Sequence, residues 1–175
     1  YNNGNVANPT ITLPANGFVK ANSTFTGWNY GAVGTQVTLT DNITVIAQWK
    51  ANPKSQSFTL KHQNGDEQSW TSWTAQPSST MSLEGQTTIT GTVTIKMSGN
   101  NSWKGNGVIL WVNIGGQNTQ VYNKPQWSSE WLTWSGTVSL PSINVSGKSS
   151  VSVSAGGQDI GSVTQFEFYI TLTAS

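Results

Sequence analysis

Between Trp103 and Trp134, five of the chain's nine tryptophans stand among Asn, Gln, Ser and one carboxylate, with little positive charge. An exposed indole offers a flat apolar face to the axial hydrogens of a pyranose ring. Neighbouring amides and carboxylates can take the sugar hydroxyls. The residues expected to make such contacts are Trp131, Trp127, Trp103, Trp70 and Tyr169, with Gln126 and Glu130 as polar partners. Trp131 leads this set. It shares strand parity with Thr133 and Ser135, whereas Trp134 shares parity with Leu132 and Val138 and is expected in the core. Trp127 and Trp103 sit among polar residues at turn edges. Trp70 and Trp73 are three apart and face opposite ways in an extended strand, so one of them is expected to be exposed. Trp111 lies in a run apolar on both faces and is expected in the core. Tyr169 has outward parity on another strand, and Asn113, Gln117 and Glu167 are further polar neighbours.

Catalytic chemistry has a weaker footing. His62 is the only histidine, it shares parity with Phe58 and Leu60, and no nucleophile motif accompanies it. A glycosidase needs two carboxylates facing each other across a cleft. Asp66 and Glu67 are instead neighbours on one turn. No enzyme is expected. Asn64-Gly65-Asp66-Glu67 and Gly157-Gln158-Asp159 offer hard oxygen ligands in loops for a structural calcium. Neither is dense in carboxylates, so the expectation is no cofactor and no metal.

Composition narrows the partners. Only 9% of the residues are charged, the net charge is +1, and every basic residue is lysine. A nucleic-acid binder needs a cationic footprint that this chain lacks. The absence of cysteine removes disulfides, thiolate metal sites and cysteine nucleophiles. No apolar run approaches the length of a membrane span. The chain opens on Tyr1 rather than Met, and it reads as a piece of a larger parent polypeptide.

No segment carries a convincing 3.6-residue apolar period, and short β-branched or aromatic runs broken by Gly, Asn and Pro recur throughout. An all-β fold is expected. Residues 1–50 read as a first unit with strands at Ile11-Thr12-Leu13, Phe25-Thr26-Gly27-Trp28, Val37-Thr38-Leu39 and Ile43 to Trp49. Leu13-Pro14, the aromatic-x-Gly-Trp of Phe25 to Trp28, Gly34, Val37 to Leu39 and the closing Ala47-Gln48-Trp49 resemble the Listeria–Bacteroides repeat (internalin B-repeat). That resemblance implies a β-grasp-like spacer or adhesion module of a bacterial surface protein, with Trp28 and Trp49 as core rings. Residues 51–55 read as a linker, because Pro53 cannot donate to a ladder.

Residues 56–175 read as a second unit, with strands at 56–63, 68–75, 87–98, 107–114, 117–123, 131–140, 149–155 and 163–173. Alternation is clear where Ile89, Val93, Ile95 and Met97 oppose Thr88, Thr90, Thr92 and Thr94, and where Phe166, Phe168, Ile170 and Leu172 oppose Glu167 and Thr171. About eight such strands imply two packed antiparallel sheets, a β-sandwich, with a jelly roll as the specific form. In general pattern this unit resembles the β-sandwich carbohydrate-binding modules of bacterial polysaccharide-degrading enzymes. The expected protein is extracellular or on the bacterial cell surface and non-catalytic, and it binds a neutral polysaccharide or cell-surface glycan. The alternative is a structural or adhesive module, such as an adhesin stalk or a phage decoration or tail-associated domain in the virion. There the tryptophans serve protein–protein contacts.

Overall fold

The structure, a computed structural model, describes residues 8–63, 67–99, 107–124, 135–161 and 164–175. The chain divides into two compact units, 1–52 and 53–175. Among the described residues there is no helix, and hence none long and apolar enough to cross a membrane.

The first unit has four short strands: β1 (Thr10–Thr12), β2 (Ser23–Trp28), β3 (Gln36–Thr38) and β4 (Ala47–Ala51). β1 pairs antiparallel with β3, and β2 with β4, so the unit holds two two-stranded ladders. Its core is aromatic. Phe25 meets Trp28 and Trp49 edge-on at centroid distances of 5.2 and 5.6 Å, and the Trp28 indole donates to the Pro14 carbonyl at 2.9 Å. Leu13 and Trp28 are buried, and Trp49 is half-buried. The fourth strand starts at Ala47 rather than at Ile43, as its sequence suggested. The backbone of 44–46 is held instead by Asn29, whose Nδ2 donates to the Thr44 carbonyl while its Oδ1 accepts from the Ile46 amide. A side-chain amide here does what a neighbouring strand would otherwise do, so an apolar run that reads as strand stays outside the ladder.

The second unit has nine strands: β5 (Lys54–Gln63), β6 (Glu67–Thr74), β7 (Ser79–Ser82), β8 (Thr88–Gly99), β9 (Val108–Ile114), β10 (Gln117–Lys124), β11 (Ser135–Asn144), β12 (Ser150–Gly161) and β13 (Thr164–Ala174). Lys54 and Ser55, read from sequence as linker, are the first residues of β5 and pair with Ala174 and Thr173. One sheet has the order β11-β8-β13-β5 and the other β10-β9-β12-β6, with β7 also on β12. β6 and β7 are two parts of one broken strand. Between them the Ala75 amide still donates to the Ala155 carbonyl, and Pro77, which has no amide hydrogen, follows. Counted that way, the first of eight strands pairs with the last, the second with the seventh, the third with the sixth and the fourth with the fifth. This nesting of antiparallel pairs, divided over two sheets, is the jelly roll.

Period-2 patterning builds the core between the sheets. Phe166, Phe168, Ile170 and Leu172 of β13 are fully buried, as are Ile89, Val93 and Ile95 of β8 and Val108 and Leu110 of β9. The β9–β10 hairpin turns at Gly115-Gly116, both at positive φ (61° and 94°), which a side chain would resist. Two further strands depart from their expected ranges. β11 runs from 135 to 144, and 131–134 lie outside the described residues. β12 extends to Gly161, so Gly157-Gln158-Asp159 is not a ligand-bearing loop. It is a ladder segment flanked by β9 and β6.

Candidate functional site

β12 sits between β9 and β6 and carries the adjacent glycines Gly156 and Gly157. Each lets an indole press against the backbone, one on each face of the sheet. On the core face, a Cβ at Gly157 would lie 2.4 Å from Trp73 Cζ2 and 2.7 Å from Leu110 Cδ2. On the outer face, a Cβ at Gly156 would lie 2.5 Å from the Trp73 carbonyl oxygen and 3.0 Å from Trp111 Nε1. Trp73 continues a ring stack at one end of the sandwich. His62 lies parallel to it, with centroids 4.1 Å apart at 6°, and Phe166 stacks beneath at 4.7 Å. A hollow of about 200 Å³ opens there, lined by Lys61, His62, Gln63, Gln165, Phe166 and Glu167. The only histidine is thus a stacking partner.

Trp111 is not in the core, contrary to expectation. Val108, Leu110, Val112 and Ile114 fill the inner face of β9, and Trp111 alternates outward with Asn113. It is half-buried because its indole leans over Gly156. The signal for this lay in parity with Asn113. The flanking Ile109 concealed it by making both faces read as apolar.

The remaining predicted contacts distribute as follows. Trp131, Trp127, Trp103, Gln126 and Glu130 lie outside the described residues, and so does Trp134. Trp70 lies on β6, and its side chain is likewise outside the described set. Tyr169 projects from the outer face of the other sheet, half-buried. Its hydroxyl donates to Glu167 Oε2 at 2.6 Å, Lys61 forms an ion pair with Glu167 Oε1, and Lys96 Nζ stands 5.1 Å from the Tyr169 ring centroid. The Lys61 hydrogen bond, and then that of Tyr169, hold the Glu167 carboxyl below its ordinary value of 4.5. Reciprocally, Glu167 raises Lys61 above 10.5 and Tyr169 above 10.0, in both cases chiefly through the hydrogen bond. Glu84 is paired with Lys54. Among the described residues no three His, Cys, Asp or Glu side chains are grouped as a metal site requires.

Register places the ends of the described strands. In one sheet Gln63 is opposite Gln165, Gly99 opposite Thr164, and Ser135 opposite Lys96. In the other, Lys124 and Asp159 are opposite Val108, and Gly161 is opposite Glu67. The four-residue step from Gln63 to Glu67 and the three-residue step from Gly161 to Thr164 require these strand ends to be close, since each residue spans at most about 3.6 Å. All eight ends therefore share one end of the sandwich, the end of the His62–Trp73 stack.

No protein-family model and no curated protein matches the chain. Among solved structures, it is similar to a chain of infectious bursal disease virus, Gx strain. The TM-score is 0.37 at 13% identity, over 79% of this chain and 40% of that one. It is also similar to the VP2 subviral particle of infectious bursal disease virus, with a TM-score of 0.32 at 10% identity, over 79% and 44%. This chain spans less than half the length of those chains. At these values the likeness decides neither fold nor function.

Proposed function

We propose that the protein is a non-catalytic recognition fragment of an extracellular or cell-surface protein, and that its second unit binds a neutral glycan. The observation that carries this reading is the shared position of the strand ends. The described strand ends Gly99, Val108, Lys124 and Ser135 lie at one end of the jelly roll, the end of the hollow next to the His62–Trp73 stack, and Trp103, Trp127 and Trp131 fall between them in sequence. Large rings offered together with amides suit a sugar ring. The low charge and absence of arginine favour a neutral ligand over a sulfated or anionic one, which would recruit basic side chains. His62, Glu84 and Glu167 are engaged in packing and ion pairs, in line with a binding role rather than a catalytic one. The first unit is read as a spacer repeat of the internalin B type.

The test is affinity electrophoresis and calorimetry against a panel of neutral polysaccharides. Trp131→Ala is expected to remove roughly 1–3 kcal/mol of binding, the range for a contact aromatic. Binding should change little between low and high salt. If nothing in the panel binds, the glycan reading fails.

A structural or adhesive role is the second reading. The outer face of the β11-β8-β13-β5 sheet supports it. There, cross-strand hydroxyl pairs, Ser55 with Thr173 at 2.9 Å, Ser57 with Thr171 at 3.2 Å and Thr94 with Thr137 at 2.8 Å, satisfy one another. The hydroxyl-bearing part of this face, apart from the Lys61–Glu167–Lys96 cluster that it also carries, can pack against a neighbouring protein without desolvating charge. A co-purifying protein partner, together with a failed glycan panel, would favour this reading.

A further inference from the structure

We propose that the outer face of the β10-β9-β12-β6 sheet, centred on Trp111, is a second contact surface for a neutral glycan chain. It is distinct from the hollow beside the His62–Trp73 stack. The inference rests on the glycan reading above and assigns a surface that the sequence did not point to.

Trp111 has no packing duty in the core, which Leu110 and Val112 fill from the same strand with almost no exposure. Its indole instead lies across the neighbouring strand at the one position where no side chain intervenes. A Cβ at Gly156 would sit 3.0 Å from Nε1 and 3.3 Å from Cε2. A ring seated over backbone in this way is half-buried and keeps the rest of its surface for solvent.

The surroundings match an uncharged polyol. Directly across the ladder from Trp111 stand Gln120 on one side and Gly156, then Thr74, on the other. The next row on one side holds Asn118, Asn113 and Ser154, and the row on the other side includes Gln158. Gln120, Thr74, Asn118, Asn113, Ser154 and Gln158 are amides or hydroxyls, Ile109 beside Gln158 is apolar, and none of these is charged. One pair is fixed in advance: Asn113 Nδ2 donates to Asn118 Oδ1 at 2.7 Å, and Asn113 Oδ1 accepts from the Gly116 amide at 3.0 Å. Groups already held in place lose little entropy on binding. Strands spaced about 4.8 Å apart make the Gln120–Trp111–Gly156–Thr74 row about 14 Å long. That row can accommodate a few sugar units, with the indole beneath one of them. A nucleic acid could stack on the same ring, but among the described residues of these rows there is no cation to meet its phosphates.

The experiment uses the full chain, with cellohexaose, mannohexaose and maltohexaose as probes. Calorimetry is run on wild type, Trp111→Ala, Trp111→Phe, Gln120→Ala and Trp131→Ala. The assigned indole Nε1–H resonances are followed by NMR during titration of the wild type. With the probe that binds, Trp111→Ala should weaken binding at least tenfold, Trp111→Phe should restore most of it, and Gln120→Ala should weaken it severalfold. The Trp111 indole signal should shift as the probe is added. If a probe binds but Trp111→Ala and the Trp111 signal are both indifferent while Trp131→Ala weakens binding, this surface is refuted and the glycan reading stands. If no probe or polysaccharide binds wild type, both are refuted. Should Trp111→Ala fail to fold, the wild-type titration and Gln120→Ala decide.

Discussion

Two tryptophans separated by a single residue-step of β12 divide packing from presentation. Trp73 touches His62, Phe166 and Phe168 and fills the space that Gly157 leaves. Trp73→Ala should cost about 3 kcal/mol in a urea or guanidinium melt, in the range for removing a large aromatic from a packed site. The Glu167 cluster makes a pH prediction. Its carboxyl is depressed below 4.5, so its contribution to stability is present above the unfolded value and is lost as pH falls through the folded one. Lys61 and Tyr169 are raised, so their contributions hold below 10.5 and 10.0 and are lost as pH rises through the folded values. The melting-temperature difference between wild type and Glu167→Gln should be flat from about pH 6 to 9, shrink below the Glu167 transition, and shrink again in strong alkali. High salt should reduce it, since the pair is exposed. A difference independent of pH would show that the cluster does not couple these protons. At this scale the sequence was most legible where parity was clean, as for Phe166 to Leu172 and the outward Tyr169. It misled where a lone isoleucine beside Trp111 made an outer face look apolar.

At the scale of strands, β12 is where the second unit is most sensitive. It ladders with β9 on one side and with β6 and β7 on the other, and its glycine pair receives an indole on each face. Gly157→Val would drive a branched side chain into Trp73 and Leu110 and should abolish cooperative folding. Ser152→Val, at an exposed outward position of the same strand, should change stability by no more than about 0.5 kcal/mol. Equal damage from both would mean that strand propensity, rather than the indole seat, governs β12. The strands themselves were largely legible from alternation and turn residues. The exceptions have local causes that composition hides. Asn29 replaces a partner strand at 44–46. The short β7, with only Met81 buried among its four residues, offers too brief a pattern to read. The Gly157–Asp159 stretch looks like a loop by residue type, yet its glycine makes room for the Trp73 ring.

At the scale of the whole chain, the two units differ in what could hold each one folded alone. The second begins its first ladder at Lys54 and closes it on the last strand, so a cut at Pro53 leaves every one of its strand pairs intact. Its core joins residues from both sheets, and about 120 residues suffice to bury such a core without disulfides. The first unit has two two-stranded ladders of three to six residues and a core resting on Leu13, Trp28 and their aromatic neighbours. Paired strands of that size are marginal in water, and no disulfide supports them. Residues 53–175 expressed alone should therefore melt cooperatively, with dispersed amide resonances and a far-ultraviolet spectrum free of helical bands. Residues 1–52 alone should give a broad or absent transition and poorly dispersed resonances. A sharp, high-temperature melt of the isolated first unit would mean that its aromatic cluster stabilises more than its size suggests. A second unit that loses its transition when cut at Pro53 would instead show that the jelly roll depends on the residues before it.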